Sequence, residues 1–221
     1  MTSPDPELLR AEFLGMSVRH RDVGQDRQQA ALLLAQHGER FDLTRLEFAE
    51  GGAMLSGASG TELVLRPNQT AAAGVMSLGF HEGRRRVLAL LEEGLGQHVH
   101  DELWIDDITL VAAWDTEDAD GARRYLTDRV LGLDRERREL LDEGDDQAAH
   151  GLRMWRRLGA GSLECAIEPL HTDPGQIYVR LVYSQEEPVA NAVAVGACTV
   201  AVNEFLHGPL AAFVRARTRD I

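Results

Sequence analysis

The chain has 221 residues and a formal net charge of −13, and all 23 of its basic residues are arginine, with no lysine anywhere. A guanidinium stays protonated and serves neither as an amine nucleophile nor as a neutral base, so Schiff-base and pyridoxal-phosphate enzymes, P-loop nucleotide binders and protein kinases are excluded. The acidic surface repels nucleic acid and anionic membranes at long range, so neither is expected as a partner. It suits a basic protein partner and, more simply, solubility. The length allows one large domain or two small ones, each able to bury a core. Abundant Ala, Gly, Arg, Leu and Val without lysine point to a GC-rich bacterial genome. Two cysteines, Cys165 and Cys198, are too few for a disulfide scaffold or a cysteine zinc site. Met1 to Arg10 lacks a basic and then apolar leader pattern, and the apolar stretch Ala192 to Val202 is too short to span a bilayer, so a cytoplasmic location is the expectation.

In chain order, the spacing of Leu8, Leu9, Glu12 and Phe13 predicts a short helix over 4–16, followed by a loop. A helix over 26–37 carries Ala30, Leu33, Leu34 and His37 on one face, with Gly38 placed as its C-cap. Alternation predicts a strand at 42–49, a tight turn at Gly51-Gly52, and a hairpin from 53–56 and 61–66 around Gly57 and Gly60. Met76, Leu78 and Phe80 predict a further strand. A helix at 83–97 then carries the stripe Val87, Leu88, Leu91 and Leu95.

The second half repeats this plan in layout. A long strand at 103–114 puts Trp104, Ile108, Leu110, Ala112 and Trp114 on one face, and it is the natural element to join two half-sheets. A helix follows at 119–131, then a charged segment at 134–149. Strands are predicted at 151–158, 161–168 and 176–184, turned by Gly159, Gly161 and Asp173-Pro174-Gly175. A long helix at about 189–206 is interrupted at Pro209. The expected fold class is α+β: two antiparallel half-sheets with helices packed on one side in a pseudo-repeat layout. The halves divide at residues 1–101 and 102–221, as two tightly joined lobes or one continuous domain.

Leu63-Val64-Leu65-Arg66-Pro67-Asn68, the closing Asn203-Glu204-Phe205-Leu206-His207, and then Ala212-Phe213 and Thr218 stand in a recognisable order. Over residues 60–219 this order resembles a sporadically distributed bacterial family of uncharacterised proteins, with Ile108-Thr109-Leu110 in place of that family's Arg-Tyr-Ile-Asn-like strand. The resemblance implies no enzymatic activity.

The best metal-like cluster is His98-Val99-His100-Asp101-Glu102. On an extended backbone His98 and His100 share a face, and Asp101 or Glu102 adds a carboxylate, a ligand set that suits zinc, iron or manganese. The competing reading is a polar helix-to-strand connection with histidines at a helix C-terminus. Asp115 to Gly121 imitates part of a calcium loop, but Thr116 and Thr127 stand where acidic ligands belong, so a helix start fits better. Cys165 would need His171 or His207 as its base, yet strand alternation puts it beside Leu163 and Ile167 in a core. Cys198 is buried by the same logic. No nucleophile elbow or dinucleotide loop stands in a fitting context. The arginine clusters 84–86 and 135–138 carry little weight, because arginine fills every basic role here. Asp106 draws interest because it shares a predicted face with Trp104 and Ile108.

The expected function is non-catalytic: binding a protein partner or a small ligand on a face between the halves, as a homodimer. The first alternative is a metal-dependent hydrolase or lyase using His98, His100 and Asp101 with a divalent transition metal. The second is an antitoxin- or immunity-like protein that neutralises a basic partner.

Overall fold

Alternate strand residues decide the architecture, because one face of most strands is largely apolar while the other is mixed. The computed structural model describes residues 9–22, 27–49, 51–96, 102–116, 121–133 and 150–216. The strands are β1 (Leu9–Arg19), β2 (Arg45–Ala49), β3 (Gly52–Ser56), β4 (Glu62–Arg66), β5 (Gln69–Val75), β6 (Trp104–Asp115), β7 (Leu152–Leu158), β8 (Gly161–Leu170) and β9 (Asp173–Ser184). They form one nine-stranded sheet in the order β2-β3-β4-β5-β1-β6-β9-β8-β7, and every neighbouring pair is antiparallel. The α+β expectation holds. The long strand near 103–114 is a central one, and its pairing with β1 joins the two sides into one sheet.

The helices are α1 (Arg27–Phe41), α2 (Phe80–Leu95), α3 (Gly121–Tyr125), α4 (Ala192–Phe205) and α5 (Ala211–Arg215). A π-helical turn, Leu126–Val130, extends α3, and another, Leu206–Leu210, joins α4 to α5 and absorbs Pro209. Asn191 caps α4, its side chain accepting from the Ala194 amide at 3.0 Å. The helical run Ala192–Arg215 is longer than the apolar stretch read from the sequence and, by length and composition, long enough to cross a membrane. In this fold Val195, Thr199, Val202 and Leu206 are buried, with α4 against α2 and β6.

The β1–β6 seam has the four strands β2 to β5 on one side and the three strands β7 to β9 on the other, and in each the last strand pairs with the seam strand. β1, α1, β2 to β5 and α2 make one side, and β6, α3, β7 to β9 and α4 make the other.

The core lies between sheet and helices. Leu14, Met16, Leu63, Ile108, Leu110, Trp114, Leu181, Leu90 and Leu91 are fully buried there. Each such side chain contributes roughly 1.5–3 kcal/mol of burial. Helix α2 packs on β5, β1 and β4, approaching closely where Gly94 meets Leu63 and Thr70.

Three sequence expectations are corrected. The helix predicted over 4–16 is a strand from Leu9 onward, with 1–8 outside the described residues. A bulge at Glu12 shifts the register, so Leu9 and Phe13, whose spacing suggested a helix, fall on opposite faces of the strand, Leu9 beside Trp114 in the core and Phe13 beside Val111 on the other side. The strand predicted around Met76 to Phe80 lies earlier, at Gln69–Val75, and Phe80 already opens α2. Its buried positions are Thr70, Ala72 and Gly74, small residues that let α2 come close but leave little apolar signal. Gly38 is not a cap but a buried residue inside α1. The helix ends instead at Asp42, which takes the left-handed φ of 58°.

Candidate functional site

The sheet has two unlike faces. Every described helix packs on the face carrying Leu14, Leu110 and Leu181, and no described helix covers the opposite one. Cross-strand register sets out what the helix-free face presents. One row runs Met54, Val64, Ala71 and Ser17 to Asp107. A second runs Ala73, Gly15, Thr109 and Val182 to Glu164 and Trp155. A third runs Val75, Phe13, Val111, Arg180 and Ala166 to Arg153. The centre is therefore small and apolar, and Phe13, Val64 and Val111 are only partly buried.

Three ion pairs lie on this face. Arg10 pairs with Asp115 at 2.9 Å, Arg153 with Glu164 at 3.3 Å, and Arg19 with Asp106. Gln69 donates to both Asp106 (3.2 Å) and the Ser17 hydroxyl (3.0 Å), which fixes that corner. A chain of net charge −13 thus presents here a face of matched ion pairs around an apolar centre.

Asp106 and Asp107 reach this face through the second bulge of the β1–β6 seam, where Ser17 pairs with Asp107 and Val18 with Ile105. The bulge puts Ile105 and Ile108 together on the core side and leaves Trp104 partly exposed on the other. The expectation that Trp104, Asp106 and Ile108 share a buried face is corrected accordingly. Asp107 is the electrostatically perturbed carboxyl. Burial pushes its pKa up and Asp106 adds to the rise, while a hydrogen bond from the Thr109 hydroxyl (3.2 Å) and the Arg180 charge oppose it.

The residues expected to carry chemistry are dispersed. His98, His100 and Asp101 lie outside the described residues. Glu102 pairs with Arg21 at 3.3 Å. Among the described residues, no group of three or more His, Cys, Asp or Glu side chains converges as a metal site. Cys165 is buried in the core, and burial pushes its thiol up to about 12, so it carries no thiolate near neutral pH. Cys198 is also raised by burial, and its thiol lies 3.9 Å from the Tyr183 hydroxyl, itself pushed up to about 12. His20 is a satisfied core histidine, with Nε2 3.0 Å from the Thr70 hydroxyl and Nδ1 2.8 Å from the Arg21 carbonyl. Residues 117–120 of the calcium-like stretch are outside the described residues. Asp115 and Thr116 are tied to β9, with Gln176 donating to Asp115 (2.7 Å) and Thr116 to the Gly175 carbonyl (2.5 Å).

A separate cleft of about 270 Å³ opens between α1 and α2, lined by Arg40, Phe41, Glu82, Arg85, Arg86 and Ala89. Its arginines are mostly engaged: Arg40 pairs with Glu93 at 2.7 Å and Arg85 bidentately with Glu82. This is the ordinary helix-surface pairing expected of a lysine-free chain.

Fold and site together define an α+β protein with one sheet face backed by helices and one that no described helix covers. Neither a protein-family model nor a curated protein matches the chain.

Proposed function

We propose that the protein is a non-catalytic binding protein that engages a protein partner, in the first instance a second copy of itself, through the helix-free face of its sheet. One observation carries this reading: a continuous nine-stranded face with an apolar centre and three ion pairs at its margins, on a chain of net charge −13. The net charge of −13 opposes self-association, and the ion pairs on this face lessen that repulsion where two copies would meet. Its size also fits. Nine strands about 4.8 Å apart, each a few residues long, give a face of about 800 Å² or more, which is what a standard interface buries on each partner. Two such faces stacked would pack as the two layers of a sandwich do.

Sedimentation velocity tests the proposal. The wild-type chain is expected to run as a dimer at micromolar concentration with a Tm that rises with concentration, and Val111→Asp and Ala73→Asp as monomers with unchanged circular dichroism and a Tm independent of concentration. A wild-type monomer at every concentration overturns it, as does a dimer indifferent to both substitutions. A stoichiometric transition metal in the purified protein, lost in a His98→Ala/His100→Ala variant, would instead favour the metal-dependent hydrolase or lyase.

A further inference from the structure

The two outer strands of the sheet differ in charge. Strand β2 carries Arg45 and Glu47, and its Phe48 lies under the Arg27 guanidinium at 5.1 Å. Strand β7 reads Leu-Arg-Met-Trp-Arg-Arg-Leu and contains three arginines and no acidic residue. It stands last in the sheet order, bonded to β8 alone, so one side of its seven-residue backbone is unpaired within the described sheet. Arg153, Trp155 and Arg157 project on the helix-free side, and Trp155 is 66% exposed.

We infer that this edge takes an extended acidic segment of a partner protein as a tenth, antiparallel strand. Unpaired backbone groups on an edge are a template for strand addition, and the side chains beside them select what adds. Here that selection is electrostatic. Arg153 and the Trp155 indole both rest on Glu164, at 3.3 and 3.2 Å, which holds them upright beside the edge. Arg156 lies 4.9 Å over the Phe205 ring, and neither it nor Arg157 pairs with a carboxylate among the described residues. The net charge of −13 does not cancel this local cationic row, because at physiological salt charges are screened beyond about 8 Å.

A second copy is a poor occupant of this edge. Antiparallel pairing of β7 with itself along its full length sets Arg153 opposite Arg157 twice, and like charges directly opposite are unfavourable. An acidic strand instead meets Arg157, Arg156 and Arg153 with carboxylates, and Trp155 and Met154 with apolar side chains. The matching core sequence, read antiparallel to β7, is Glu-Glu-Phe-Val-Glu. Strand addition uses the backbone edge of β7, whereas Arg153 and Trp155 also form the margin of the self-association face. The peptide titration is therefore repeated on the Val111→Asp monomer: binding kept there with dimerisation lost separates the two readings.

Fluorescence anisotropy with a labelled ten-residue peptide centred on Glu-Glu-Phe-Val-Glu tests the inference on the full chain. Saturable binding is expected, and none for a counterpart with Lys in place of Glu. Arg153→Glu/Arg157→Glu should weaken the acidic peptide by about tenfold or more, since two cross-strand pairs turn from attraction to repulsion, and should admit the Lys peptide. Arg157→Glu alone removes no ion pair of the fold and gives the same direction if the double variant is unstable. Peptides N-methylated on one alternate set of amides should lose binding while the other set keeps it, as strand addition requires. No binding of the acidic peptide, equal loss from both methylated sets, or displacement by a single-stranded oligonucleotide at lower concentration overturns the inference.

Discussion

Leu110 and Val111 are adjacent in β6, and they lie on opposite faces of the same sheet. Leu110 is 1% exposed beneath the helices, whereas Val111 is only half-buried on the helix-free side. The same strands, with the same hydrogen bonds, therefore carry two kinds of surface. One is a core whose residues are fixed by volume. The other is a surface whose residues are fixed by what else touches it. Stability arguments belong to the first face and binding arguments to the second.

The largest effect expected from this contrast is on folding. Leu110→Ala leaves a cavity in a close-packed core and should cost about 2–5 kcal/mol, while Val111→Ala should cost under about 1 kcal/mol. Denaturant unfolding of both variants in the monomeric state checks this. Similar losses at the two sites would mean that something covers Val111 in the free chain.

A smaller effect sharpens the contrast on the helix-free face alone. Burial raises the Asp107 pKa above its unfolded value. The folded state then holds its proton more tightly than the unfolded one, so stability falls as pH rises through the raised pKa. Asp107→Asn retains an acceptor for the Thr109 hydroxyl and removes that loss. Its Tm should exceed that of wild type near neutral pH and converge with it in acid, below the usual carboxylate range. A variant less stable than wild type at neutral pH would show that the attraction of Arg180 outweighs burial.

Much of the fold was legible because glycines and alternation speak plainly. Gly51 and Gly159 turn hairpins at positive φ, and Ile177, Val179, Leu181 and Tyr183 alternate without interruption along β9. Cys165 was placed in the core for the same reason, and it is buried. Legibility failed at the β1–β6 seam. There two bulges replace a two-residue step with a three-residue one, which parts Leu9 from Phe13 in β1 and turns Trp104 away from the face of Ile108. It failed again at β5, where Thr70, Ala72 and Gly74 are buried by the approach of α2 rather than by their own hydrophobicity. The helix-free face was not legible either. Alternation tells that two faces exist, but only the packing of the helices tells which one is left uncovered. The sequence pointed toward His98, His100 and Asp101 because histidine and carboxylate spacing is visible in one dimension. A row such as Ala73, Gly15, Thr109 and Val182 draws on four strands and is visible only in the assembled sheet.

Hydroxyl-radical footprinting across a dilution series most directly tests whether the helix-free face joins two copies. Phe13, Met54 and Tyr178 on that face should be oxidised in dilute solution and protected as concentration rises. Val193 on α4 and Phe213 on α5, exposed at 68% and 44%, should react equally throughout. Protection of Val193 and Phe213 with Phe13, Met54 and Tyr178 unchanged, or no protection at any concentration, would contradict the account.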